Sequence, residues 1–235
     1  MPDHPGFPRL RKTAVVAAGL LGLAACSVRT EVPVQNSTAV SATSVVATPS
    51  SAYRARTGSP VCSVDLYGDS IMHGGYKGYL RLAEPPAATL KRLRPRYSVQ
   101  DFSLNGETAA QRAATFESER RDGRFVVIAH GINDTMQQLP LAASLRPMIE
   151  IARREGREPI LTGLSRQPVP IPGRVSANQS IRRLAFDLHV PFADWDAVKF
   201  APDEMEDPLH PAKQYSDRLV RSIVAVLDRL APECA

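Results

Sequence analysis

The chain has 235 residues, of which 43% are hydrophobic and 23% are charged, so it can bury one sizeable core and a single domain is expected. Its formal net charge is +5, but the basic residues are spread along helical faces, which argues against a nucleic-acid-binding protein. The three cysteines show no Cys-x-x-Cys or Cys/His spacing, so neither a metal site nor a cofactor is expected.

The first 25 residues are typical of a secretory signal. A basic start is followed by the apolar run TAVVAAGLLGLAA, which is too short to span a bilayer permanently. The run ends in LAAC at 23–26, which resembles the lipobox of bacterial lipoproteins. That resemblance implies cleavage before Cys26 and diacylation of its thiol, and two acyl chains would give a stable membrane anchor. The alternative is a plain signal peptide that is cleaved nearby. The lipobox interpretation predicts an exported protein, lipid-anchored to the bacterial cell envelope, with its domain facing the periplasm or the exterior.

Residues 26–60 are rich in Ser, Thr, Ala, Val and Pro and show no sustained periodicity, so they are predicted to form a disordered tether. From residue 61 to 235 the pattern changes, and short apolar runs alternate with helical segments. Strands are predicted at 61–67, 97–104, 125–130, 159–164 and 190–194. Helices are predicted at 85–94, 107–119, 141–156, 176–189 and 212–231, the fourth with Ser176 and Gln179 in capping-box spacing. This alternation predicts a parallel sheet with helices on both faces.

Ligands of open α/β sheets bind beyond the carboxyl ends of the strands, so the residues that follow each strand are the candidates for a site. GDS with Ser70 follows the first strand, SLNGET with Gly106 the second, and HGIND with Asn133 the third. DPLHP, which contains Asp207 and His210, precedes the last helix. The predicted topology therefore gathers these five residues at one edge of the sheet.

These residue types suit acyl transfer. A serine hydroxyl needs a base to take its proton, which His210 can supply, and Asp207 can orient the imidazole from the same loop. A tetrahedral intermediate needs preorganised donors, and the Ser70 and Gly106 N–H groups and the Asn133 side-chain amide would provide three.

The four blocks GDSIMHGG, SLNGETAA, HGIND and DPLHP, in this order, resemble those of the SGNH, or GDSL-like, serine hydrolases. The match is best to the small lysophospholipase, thioesterase and arylesterase type and runs from about residue 61 to the end. It implies a catalytic triad of Ser70, Asp207 and His210 and an oxyanion hole of Ser70, Gly106 and Asn133. One departure is Ile71, which replaces the common leucine after Gly-Asp-Ser.

The resemblance also implies a fold and an activity. The fold is a single-domain, three-layer α/β/α sandwich with a five-stranded parallel sheet of the flavodoxin-like type. The activity is hydrolysis of an ester or thioester through an acyl-enzyme, on a lipid, thioester or acetylated-glycan substrate. One alternative is an acyl- or acetyltransferase, or an O-acetyl-polysaccharide esterase, that uses the same triad. Another is a non-catalytic binding lipoprotein. Short connections favour a monomer.

Cys62 and Cys234 remain as one pair if Cys26 carries lipid. Cys62 begins the first strand, and Cys234 follows the last helix, which runs away from His210 toward that same end of the sheet. A disulfide between them is therefore predicted.

Overall fold

The computed structural model describes residues 61–235, which form one α/β domain around a parallel sheet. The predicted signal segment 1–25, the lipidation site Cys26 and the tether 26–60 lie outside the described residues. The strands are β1 Ser63–Gly68, β2 Gly75–Tyr76, β3 Leu80–Arg81, β4 Ser98–Asp101, β5 Phe125–Ala129, β6 Glu158–Thr162 and β7 Phe192–Ala193. The helices are α1 Ser70–His73, α2 Pro86–Leu93, α3 Ala109–Phe116, α4 Ile132–Met136, α5 Leu141–Arg154, α6 Arg174–Asp187 and α7 Lys213–Leu230.

The main sheet has five parallel strands in the order β4-β1-β5-β6-β7, whereas β2 and β3 form a separate antiparallel hairpin. Successive residues of β5 alternate between two apolar clusters. Phe125 and Val127 pack with residues of α2 and α7, and Val126 and Ile128 pack with residues of α3, α5 and α6. The sheet is thus covered on both faces, which confirms the predicted three-layer sandwich.

Several boundaries differ from the prediction. The last strand is only two residues long, and α6 begins at Arg174 rather than Ser176. The predicted Ser176–Gln179 capping box is wrong, because Gly173, with a φ of 82°, is the N-cap and the Ser176 hydroxyl donates to its carbonyl. The structure instead forms a capping box between Thr108 and Gln111 at the start of α3.

Two short helices, α1 and α4, and the β2–β3 hairpin were not predicted. Each of these helices and strands is at most five residues long. Periodicity cannot reveal elements of this length. They lie between β1 and α2 or between β5 and α5, in the connections that contain Ser70 and Asn133.

The structure joins Cys62 and Cys234 in a disulfide, as predicted, with a Cα–Cα distance of 5.5 Å. Cys62 directly precedes β1, and Cys234 is fully buried after the end of α7. The bond therefore closes the domain at the edge of the sheet opposite to Ser70.

Candidate active site

Ser70 lies on a tight turn between β1 and α1. β1 is buried along its whole length and ends at Gly68, where a Cβ atom would lie 2.5 Å from the Cβ of Met72, so the turn has no room for a larger residue. Asp69 caps α1, because its Oδ1 accepts the Ile71 N–H at 2.9 Å. This arrangement places Ser70 in the first turn of α1, beyond the carboxyl end of the interior strand β1.

Burial raises the pKa of Asp69 to about 6. His130 and the Ile71 N–H act in the opposite direction, because they stabilise the charged carboxylate and so lower the pKa, but burial outweighs them. The side chain is buried behind the loop that carries Ser70. Asp69 therefore holds the turn that presents Ser70.

Ser70, His210 and Asp207 form one hydrogen-bonded chain. The Ser70 Oγ lies 2.8 Å from His210 Nε2, and His210 Nδ1 lies 2.8 Å from each carboxylate oxygen of Asp207. The predicted nucleophile, base and orienting acid thus meet in the order that acyl transfer requires.

Asp207 also fixes the loop that carries His210. Its Oδ1 accepts the N–H groups of Leu209 and His210, and its Oδ2 accepts the N–H of Lys77 from the β2–β3 hairpin, all at 2.9 Å. Burial alone would raise the pKa of Asp207, but these backbone donors and the His210 imidazole outweigh it and lower the pKa to about 2. The carboxylate is therefore ionised at neutral pH.

Gly106 lies in the loop after β4, beside the turn that carries Ser70. The Leu104 N–H donates to the Gly68 carbonyl at 3.0 Å, which extends the pairing of β4 with β1 into the loops. Gly106 adopts a φ of 75°, which disfavours other residues, and a Cβ at this position would meet no atom within 4 Å. Its backbone is therefore open to an approaching substrate.

Asn133 is the second residue of α4, directly beyond β5. Its Nδ2 donates to the Glu107 carbonyl at 2.9 Å, so the loops after β4 and β5 meet beside Ser70, which follows β1, the strand between them. An amide NH₂ has two hydrogens, and one remains for a ligand. The structure thus places all five predicted residues at one edge of the sheet, three in direct contact and two on the adjoining loops.

An apolar groove of about 440 Å³ begins next to His210. It is lined by Thr135, Met136, Gln138, Val169, Pro170, Ile171, Pro172, Pro208 and Leu209. Residues 169–172 of the proline-rich segment after β6 form one wall of the groove. The contribution of Pro208 and Leu209 was not predicted, although they immediately precede His210.

Within residues 61–235, no group of three or more His, Cys, Asp or Glu side chains is arranged to hold a metal ion. In the same part of the chain, none of the helices combines the length and hydropathy that crossing a bilayer would require.

Comparisons with known proteins agree with this geometry. The profile of the GDSL-like lipase/acylhydrolase family matches residues 66–217. No protein of curated function matches the sequence significantly.

Solved structures with the same fold include TesA, with 24% identity over 72% of this chain and 99% of its own and a TM-score of 0.62. The psychrotrophic esterase EstA from Pseudoalteromonas sp., in a structure inhibited by monoethylphosphonate, has 16% identity over 72% of this chain and 98% of its own, with a TM-score of 0.62. A carbohydrate acetylesterase family member from Sinorhizobium meliloti has 19% identity over 73% of this chain and 99% of its own, with a TM-score of 0.58. At these identities the likeness shows the fold. The matched profile covers more than half of the sequence, and on that basis the chain belongs to the GDSL-like lipase/acylhydrolase family and is a serine hydrolase acting on ester bonds.

Proposed function

We propose that this protein hydrolyses carboxylic esters or thioesters through an acyl-enzyme on Ser70. The observation that carries the proposal is the continuous chain from Ser70 Oγ through both ring nitrogens of His210 to Asp207, with a distance of 2.8 Å at each step.

In the first half of the reaction, the Ser70 Oγ attacks the carbonyl carbon while His210 Nε2 takes the hydroxyl proton. The ionised Asp207 holds the Nδ1–H and stabilises the imidazolium that forms. The tetrahedral intermediate collapses, the bond to the alcohol or thiol breaks, and His210 returns the proton to that leaving group. Water then attacks the acyl-enzyme with His210 again as base, which releases the acid and restores Ser70.

The N–H groups of Ser70 and Gly106 and the Asn133 Nδ2 would donate to the oxyanion. The loops after β1, β4 and β5 meet at this edge, and the hydrogen bond between Asn133 and Glu107 ties two of them together. Donors fixed in advance in this way stabilise the transition state without reorganisation cost.

The apolar groove supports substrates with an apolar acyl chain. Seven of its nine lining residues are Met, Val, Ile, Leu or Pro, and two of these directly precede His210. Burying one methylene group contributes about 0.8 kcal/mol, so kcat/KM should rise about fourfold per added methylene until the groove is filled.

The proposal is tested with a series of p-nitrophenyl esters from acetyl to dodecanoyl. We expect burst kinetics, a preference for chains longer than acetyl, and a loss of at least about 10³-fold in kcat for Ser70→Ala. Hydrolysis by Ser70→Ala at the wild-type rate would refute the acyl-enzyme. Faster release of p-nitrophenol when a sugar or lipid alcohol is added, with a new ester formed in place of the free acid, would indicate the transferase instead.

We also propose that the protein is exported and anchored through lipid on Cys26. The signal-like layout of residues 1–25 and the LAAC sequence support it. The Cys62–Cys234 disulfide supports an oxidising compartment as well, because such bonds persist mainly outside the cytosol. Metabolic labelling with an alkyne fatty acid should mark the wild type and leave Cys26→Ser unmarked, whereas equal labelling of both would refute the anchor.

A further inference from the structure

A buried ionic cluster lies directly behind the proposed oxyanion donors. Its centre is Glu107, the residue after Gly106. The Glu107 Oε2 lies 3.0 Å from His130 Nε2, 3.0 Å from Arg112 Nε and 2.9 Å from Arg112 Nη2. The three side chains are only 12%, 0% and 8% exposed, respectively, so these contacts are shielded from water.

The main chain of the same residue holds one of the donors. The Glu107 carbonyl accepts a hydrogen bond from Asn133 Nδ2, and Glu107 is covalently joined to Gly106. A shift of Glu107 would therefore move both proposed donors at once. Contacts to the Glu107 carboxylate can therefore fix the position of this residue.

Arg112 links the Glu107 carboxylate to other parts of the domain. Its Nη2 donates to the Phe102 carbonyl at 2.8 Å, its Nη1 donates to Glu119 at 2.7 Å, and its guanidinium lies over the Tyr67 ring. Arg112 belongs to α3, so Glu107 is held from the helix that follows it in the chain.

His130 ties Glu107 to the opposite side, at the end of β5. Its Nδ1 is buried and has no hydrogen-bond partner among the described residues. Burial would raise the pKa of Glu107, but His130 and Arg112 outweigh it and hold the pKa below its usual value, so the carboxylate stays charged.

We propose that Glu107 is a positioning residue whose carboxylate, clamped between Arg112 and His130, aligns the Asn133 amide and the Gly106 N–H for the oxyanion. This inference rests on the proposed function, because it takes the roles of Gly106 and Asn133 from it. Misplacement of a preorganised donor by a fraction of an ångström weakens transition-state stabilisation while ground-state binding in the apolar groove is unaffected.

The test is a double-mutant cycle in the full enzyme. Glu107→Gln keeps the shape but removes the charge, and we expect kcat to fall about 10- to 100-fold with KM within about twofold of wild type. In an Asn133→Ala background, where that donor is already absent, the same change should lower kcat less than about threefold. The matched control is Glu155→Gln. Glu155 is also a carboxylate held by a buried arginine, Arg121, but the pair lies away from the site, so this change should leave kcat unchanged.

An unchanged kcat in Glu107→Gln, or an equal loss in both backgrounds, would overturn the inference. If thermal unfolding shows that Glu107→Gln does not fold, Arg112→Lys takes its place in the cycle with the same criteria, because lysine cannot make the two contacts of arginine. Ser70→Ala separates the two proposals. If Ser70→Ala retains activity, the proposed function is wrong. If Ser70→Ala is inactive but the effects of Glu107→Gln and Asn133→Ala on kcat are additive, only the positioning role of Glu107 is wrong.

Discussion

The Oγ atom of Ser70 lies 2.8 Å from Nε2 of His210, although 140 residues separate them in the chain. Ser70 follows the interior strand β1, and His210 lies in the loop that leads into α7, which packs against the same sheet. The contact therefore depends on the whole fold, and changes on either side of it have predictable consequences.

Asp207→Asn should lower kcat by on the order of 10³- to 10⁴-fold, as expected when a triad loses its acid. The pKa of Asp207 is lowered to about 2, so the wild-type carboxylate carries its charge throughout the neutral range, and asparagine cannot stabilise the imidazolium. Steady-state ester hydrolysis at pH 7.5 measures the effect. Asp203→Asn, on an exposed residue of the same loop, is the control. A loss below tenfold would mean that Asp207 only shapes the loop.

Asp69→Asn should stabilise the domain at neutral pH. The pKa of Asp69 is raised from 3.8 to about 6 in the folded state, so its stabilising contribution is complete below pH 3.8 and is lost as the pH rises through 6. Asparagine keeps a capping oxygen without the charge.

The stability advantage of Asp69→Asn should grow between pH 4.5 and pH 7.5, by about 2 kcal/mol. Urea unfolding at the two pH values measures it. Asp187→Asn, on a side chain with 41% exposure, should show little such change. An advantage that shrank with rising pH would contradict the account.

Replacing both Cys62 and Cys234 by serine should destabilise the domain by about 5 kcal/mol in the chain-entropy model, because the bond closes a loop with a sequence separation of 172. Guanidinium unfolding of the variant beside the oxidised wild type checks this value. Turnover of the folded variant should be unchanged, since the bond lies at the edge opposite to Ser70. A large loss of kcat below the unfolding transition would show that the two edges are coupled.

Val169→Glu should reduce kcat/KM for long acyl esters at least about tenfold while acetyl esters lose less than about twofold, because a carboxylate in the groove disfavours apolar chains. Val175→Glu is a matched control, since Val175 and Val169 are 61% and 60% exposed, and Val175 does not line this groove. The ratio of dodecanoyl to acetyl hydrolysis reports the change. An equal effect of the two variants would mean that the groove does not bind the acyl chain.

Much of this site could be predicted because its residues lie in short local patterns, either after a strand or just before the last helix. The apolar run that ends in Gly-Asp-Ser can be recognised within a few residues of sequence. The same is true of Asp207 and His210, which are three residues apart. The Glu107 cluster could not be predicted in the same way. Glu107 and His130 are 23 residues apart, and they meet only because β4 and β5 both pair with β1.

The α6 boundary shows a different limit. Ser176 and Gln179 have capping-box spacing, but Gly173 can adopt a positive φ and starts the helix earlier, so a backbone preference outweighs a side-chain pattern. The groove depended likewise on tertiary structure, since its walls come from the loops after β5 and β6 and the loop before α7.

The most direct measurement is the intact mass of the oxidised domain after reaction with a fluorophosphonate, followed by peptide mapping, for wild type, Ser70→Ala and His210→Ala. The account predicts one stoichiometric adduct on Ser70 in the wild type and none in either variant. A folded wild type that gains no adduct, or an adduct that persists in Ser70→Ala, would contradict the assignment of Ser70 as the activated nucleophile.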